Sequence, residues 1–142
     1  MANGYLLQQF FSPHANRRTD AYGGSRDARS RFLQELLQSV FTAVDIYAAR
    51  PFAVGLRLSP EETTDPGIRF TDTLWLVERL RGTRLDYLHI SLGDYQRRSQ
   101  DATYGAKPML GYIHDVLQGE MPLIGVGGVR TRNDVSAVLD DT

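Results

Sequence analysis

Pro51-Phe52-Ala53-Val54-Gly55-Leu56-Arg57-Leu58-Ser59-Pro60 is an apolar run interrupted by one cation and bracketed by prolines. Those flanks and that length suit a buried strand. Runs of the same kind return at Leu85-Asp86-Tyr87-Leu88-His89-Ile90-Ser91 and at Pro122-Leu123-Ile124-Gly125-Val126, so strands are expected to start near 53, 86 and 122. Between the first two, Thr71 can cap a helix that carries Asp72 in its first turn, Leu74, Val77 and Leu80 along one face, and Gly82 as its stop. Between the second and third, Pro108 suits the first turn of a helix bearing Leu110, Ile113 and Leu117 and ending near Gly119. The period is that of a β-α unit, which fits parallel strands joined by crossover helices and not antiparallel hairpins. The fold class is therefore α/β.

Working outward, Phe32, Leu33, Leu36, Leu37, Val40, Phe41 and Val44 recur at three- and four-residue steps and predict a helix over 26–44. A last helix follows Thr131, with Val135, Val138 and Leu139 as its stripe. The segment from Gly93 to Gly105, with Arg97, Arg98, Ser99 and Gln100, has no periodicity and reads as a loop. Asn16 to Ser25 is dense in turn formers and charge, which suits an ordered scaffold loop with internal ion pairs. The predicted order is helix, strand, helix, strand, helix, strand, helix. No repeat or linker divides residues 1–142, so a single domain is expected.

The 142 residues are 42% hydrophobic and 23% charged, the balance of a globular domain. Sixteen Lys and Arg against seventeen Asp and Glu leave a net charge of -1, so no overall field favours nucleic acid or an anionic membrane as partner. The absence of cysteine excludes disulfides, thiolate nucleophiles, zinc-thiolate sites and iron–sulfur clusters, and points to the cytoplasm. His14, His89 and His114 have neither helical pairing nor a carboxylate pattern, so no metal site is expected. The N-terminal apolar run is too short to span a membrane and lacks the basic start of a signal peptide.

In parallel sheets, chemistry gathers where strands end. Gly125-Val126-Gly127-Gly128-Val129-Arg130 follows a strand and precedes a helix, where free N–H groups can cradle a phosphate, although glycines also serve plain tight turns. Neither a dinucleotide nor a Walker pattern fits it. Arg57 could offer forked donors to a planar acceptor such as a flavin or carboxylate, or could be half of a buried ion pair. Tyr5, after Asn3-Gly4 and before Leu6-Leu7, could donate a proton or could simply pack. His89 reads as a satisfied strand-end histidine beside the rim, and His14 and His114 as surface residues.

Four motifs together say more: Ala-Asn-Gly-Tyr-Leu-Leu-x-Gln-Phe at 2–10, Ser-Pro-x-x-Asn-x-Arg-x-Asp-x-Tyr-Gly-Gly-Ser at 12–25, Val-Gly-Leu-Arg-Leu-Ser-Pro at 54–60 and Ile-Gly-Val-Gly-Gly-Val at 124–129. In these, and in their order along essentially the whole chain, the sequence resembles the Old Yellow Enzyme family of NADH:flavin oxidoreductases. The resemblance implies a TIM (β/α)8 barrel holding FMN at its C-terminal mouth. It implies reduction by NADH or NADPH and reoxidation by an activated alkene, a quinone or oxygen. Asn3 matches the asparagine of a His-x-x-Asn pair that binds the substrate's carbonyl oxygen, and Tyr5 the tyrosine that protonates the alkene. Arg57 matches the arginine at the pyrimidine edge of the isoalloxazine, and Gly127 and Gly128 match part of the phosphate site after the seventh strand.

The resemblance also carries departures. The histidine of the pair would stand one residue before Met1, and the phosphate clamp after the eighth strand would lie beyond Thr142. Ala28 replaces an asparagine common in the stretch that opens the long helix, a change expected to be structural. The chain is thus expected to hold the end of strand four through helix seven, a partial FMN-binding barrel domain, inactive alone. A whole barrel takes about 250 residues, and an open arc would expose strand edges through which it could self-associate. Two rival readings stay open: a phosphate-binding barrel lyase or isomerase, and a non-catalytic remnant or interaction fragment.

Overall fold

Three parallel strands, β1 (Gly55–Leu58), β2 (Tyr87–Ile90) and β3 (Leu123–Gly125), lie side by side in sequence order in the computed structural model, which describes residues 1–140. Five α-helices accompany them among the described residues: α1 (Leu6–Phe11), α2 (Arg26–Tyr47), α3 (Phe70–Arg81), α4 (Met109–Leu117) and α5 (Arg132–Asp140). Each strand is followed by a helix, and parallel neighbours in this order are the arrangement of an arc of a (β/α)8 barrel.

The period-two alternation of strand side chains gives the sheet two unlike faces. Leu56, Leu58, Leu88 and Ile90 are buried in one core with Leu76, Val77 and Leu80 of α3 and Leu110, Ile113 and Leu117 of α4. Leu110 comes so close to β3 that a Cβ on Gly125 would lie 2.7 Å from its Cδ1, so this glycine is there for packing. The opposite face, the concave one in a barrel, carries Arg57, His89 and Ile124 in one register row, with Gly55 and Tyr87 paired below. The Tyr87 ring lies over Gly55, where a Cβ would be 2.1 Å from it.

Several boundaries differ from the sequence expectation. The first strand begins at Gly55, because Val54 N–H donates to the Asp86 side chain at 2.7 Å and Phe52 is exposed. Arg69, not Thr71, is the N-cap of α3; the Asp72 carboxylate accepts from Arg69 N–H at 3.0 Å, and Thr71 faces solvent. The short helix α1 was not anticipated, and the loop after β2 contains a 3-10 turn at Ala102–Tyr104. His114 is half-buried rather than a surface residue. Elsewhere the expectation holds. Thr131 caps α5, α2 starts at Arg26, and the 16–25 loop is closed by the Arg18–Asp20 pair and by Asn16 Nδ2 donating to Phe10 and Tyr22 carbonyls at 2.6 and 2.7 Å.

Candidate active site

The C-terminal ends of the strands and the loops that leave them enclose a cleft of about 620 Å³, lined in part by Asn3, Gln8, Arg57, Glu61, Glu62 and Arg97. Its first wall forms because the chain turns sharply before α1. Met1 lies along β1, its N–H group donating to Arg57 O at 2.5 Å and its carbonyl accepting from Ser59 N–H at 3.2 Å. Asn3 and Gly4 then take φ of 53° and 75°, a left-handed pair that Asn and Gly tolerate, and the chain swings into the helix.

That turn brings Asn3 to the strand ends. Its N–H donates to Ser59 Oγ at 3.0 Å, and its Oδ1 accepts from Ser91 Oγ at 3.3 Å. Ser91 Oγ in turn accepts from Arg57 Nη2 at 2.9 Å. Arg57 and Asn3, 54 positions apart in sequence, are thereby joined through one hydroxyl. Among the described residues no carboxylate lies within 4.0 Å of the Arg57 guanidinium, so the buried ion pair weighed for it does not form. Its remaining N–H donors face the exposed concave side. Tyr5 stands at the N-cap of α1, 75% exposed and beside the cleft rather than lining it, with no hydrogen bond to its phenol among the described residues.

His89, next to Arg57 in the register, is not satisfied: its Nε2 is buried and has no hydrogen-bond partner among the described residues. Burial, and secondarily the Arg57 charge, hold its pKa below the ordinary 6.5, so the imidazole is neutral near pH 7.

The glycine loop divides by role. Gly127, at φ 113°, passes so close to the loop after β2 that a Cβ would lie 2.5 Å from Leu92 O, and its carbonyl accepts from Tyr95 N–H at 2.9 Å. Gly128, at φ 72°, has more room. The N–H groups of Arg130 and Thr131 are taken by the Asp134 carboxylate at 2.9 and 2.7 Å, which also keeps that carboxyl below the usual carboxylate range. The Arg130 and Thr131 N–H groups before α5 are thus already engaged and not free for an anion.

Two acidic residues with no assigned part in the sequence reading tie the rim together. Glu61, 6% exposed, accepts from Ser99 Oγ at 2.7 Å and Gln100 N–H at 3.0 Å. Glu62 accepts from Gln8 Nε2 at 2.7 Å, Ser12 Oγ at 2.6 Å and Ile68 N–H at 2.9 Å. The sole signal in the sequence was two adjacent carboxylates directly after a strand end.

Against this geometry stand the likenesses to known proteins. The family model described as NADH:flavin oxidoreductase / NADH oxidase matches residues 1–140. The chain belongs to that family. Among its relatives in the family, a probable NADH-dependent flavin oxidoreductase of Bacillus subtilis is 39% identical over 140 residues, covering 99% of this chain and 38% of the relative. An NADH:fumarate oxidoreductase of Klebsiella pneumoniae is 42% identical over 98% of this chain and 15% of its own length, and an NADH:acrylate oxidoreductase of Vibrio harveyi 40% identical over 98% and 14%. The chain thus spans well under half of each. The fold is that of part of a histamine dehydrogenase from Rhizobium sp. 4-9, with a TM-score of 0.74 at 23% identity over 98% of this chain and 20% of that one. The α/β arc expected from the sequence is the observed fold.

The family's flavin fits the residues present. Beyond the N–H given to Ser91, Arg57 keeps guanidinium donors on the open concave face, as the electron-rich edge of a flavin requires. Among the described residues no group of His, Cys, Asp and Glu could hold a metal ion, and no helix is long and apolar enough to cross a membrane.

Proposed function

We propose that residues 1–142 are a partial FMN-binding barrel domain of an Old Yellow Enzyme-type NAD(P)H oxidoreductase, whose acceptor is an activated alkene, a quinone or oxygen. The observation that carries the reading is the hydrogen-bonded path from Arg57 through Ser91 to Asn3, which sets a cation for the cofactor and an amide for the acceptor on one strand-end platform. Bound FMN would supply hydride transfer between the nicotinamide and the acceptor.

The chain's own residues do the rest. Arg57 stabilises negative charge at the pyrimidine edge, its orientation fixed by Ser91. Gly127 and Gly128 present main-chain N–H groups to the phosphate. Asn3 holds the acceptor's carbonyl oxygen, and Tyr5, exposed at the rim, delivers the proton. The acceptors named for two relatives, fumarate and acrylate, are both unsaturated carboxylates and favour an alkene among the options. The partner is a small molecule, and the setting proposed is cytoplasmic.

The test is to load a complete barrel that carries these residues with FMN and mix it anaerobically with NADH, following the flavin absorbance. Bleaching by NADH and recovery on adding an activated alkene are expected, and Arg57→Gln should weaken FMN retention. A protein that binds FMN equally well with Arg57→Gln would not be using this platform as proposed.

A further inference from the structure

In the cleft the anions are closed, and two arginines, Arg57 on β1 and Arg97 on the loop after β2, have no carboxylate partner among the described residues. Both carboxylate oxygens of Glu61 and of Glu62 are occupied by neutral donors from the surrounding loops. Arg97, half-buried on the loop after β2 and lining the same cleft, has no carboxylate within 4.0 Å and no side-chain hydrogen bond among the described residues. Its backbone is fixed: Arg97 N–H donates to Asp94 O at 3.2 Å, Arg97 O accepts from Met109 N–H at 3.0 Å, and Glu61 grips Ser99 and Gln100 just beyond. Six other arginines (18, 26, 69, 79, 81 and 84) form ion pairs. A guanidinium without a protein acceptor keeps its forked donors free for a cleft ligand that brings one.

We propose that Arg97 is the recognition residue for the carboxylate of an acceptor, taking its two oxygens with forked N–H donors. The cleft would thereby select small unsaturated carboxylic acids over neutral alkenes. This rests on the alkene-reducing reading above. The planar fork matches a carboxylate, and the closed state of Glu61 and Glu62 limits their repulsion of it. The phosphates of the nicotinamide cofactor offer similar oxygens, and the test separates the two.

The probes are propionate and propionamide, titrated calorimetrically against the FMN-loaded complete enzyme that carries these residues, and acrylate and acrylamide as reducible counterparts. Arg97→Gln should weaken propionate binding by about tenfold to a hundredfold, leave propionamide unchanged, and lower kcat/KM for acrylate but not acrylamide. Arg97→Lys should restore part of the loss, and reduction by NADH should proceed as before. The proposal is overturned if the unsubstituted protein binds no propionate, if propionate binding survives Arg97→Gln, if propionate and propionamide fall together, or if the loss appears in NADH binding instead. A complete enzyme that binds propionate through Arg97 but is not reduced by NADH would keep this site and refute the oxidoreductase reading.

Discussion

At the scale of the residue, Tyr5 and His89 are the two side chains whose surroundings make their chemistry testable. The Tyr5 phenol has no partner to lose, so Tyr5→Phe removes a proton donor and little else. In the flavin-loaded enzyme that substitution should leave reduction by NAD(P)H near its original rate and slow alkene reduction by about a hundredfold or more. Rapid mixing of each half-reaction checks this, and equal slowing of both would make Tyr5 a packing residue. His89 is a neutral imidazole on the concave face, held so by burial and then by Arg57. Its folded pKa lies below its unfolded value of about 6.5, so its contribution to stability is present above that pH and is lost as pH falls toward the folded midpoint. An NMR titration of the imidazole should find a midpoint below 6.5 that rises in Arg57→Gln. A midpoint at or above 6.5 would mean the ring is solvated and its Nε2 partnered by water.

At the scale of the element, the rim loops are held by Glu62 more than by any regular secondary structure. It joins Gln8 of α1, Ser12 at the C-cap of α1, and Ile68 before α3. Glu62→Ala strips three donors of their acceptor, and at about 1–3 kcal/mol for each donor left unsatisfied it should cost at least about 2 kcal/mol. Urea unfolding measures this, and a loss under about 0.5 kcal/mol would show that the loops hold without it. Nothing local in the sequence announces Glu62, because its partners lie 54, 50 and 6 positions away. What the sequence did disclose is what depends on near neighbours: the 3.6-residue stripe of α2, the Thr131 cap, and the parallel period of β1, β2 and β3. The six residues of α1 are too few for periodicity to stand out, and the Arg69 cap of α3 works through the Asp72 carboxylate rather than through a capping side chain of the usual type. Of the site, Asn3 and Arg57 could be placed by motif, whereas Ser91, which joins them, could be seen only in three dimensions.

At the scale of the whole molecule, the arc ends in two unlike edges. On the β1 side Met1 alone continues the ladder, with exposed Ile46, Tyr47 and Phe52 nearby in the chain, and the far edge of β3 pairs with no strand among the described residues. The last helix adds to this, because Val135 and Leu139, its expected inner stripe, are 48% and 70% exposed. An unpaired strand edge next to bare apolar side chains is a template for another chain, and a net charge of only -1 gives little repulsion to oppose the encounter. The 142-residue polypeptide by itself should therefore associate with its own copies. Sedimentation velocity over a range of micromolar concentrations should show species heavier than 16.0 kDa that grow with concentration. Val135→Lys with Leu139→Lys should reduce them if the β3 side is the contact, and Tyr47→Lys with Phe52→Lys if it is the β1 side. A single 16.0 kDa species at every concentration would show that neither edge is adhesive, and that the concave face with Arg57 and His89 stays open in the isolated chain.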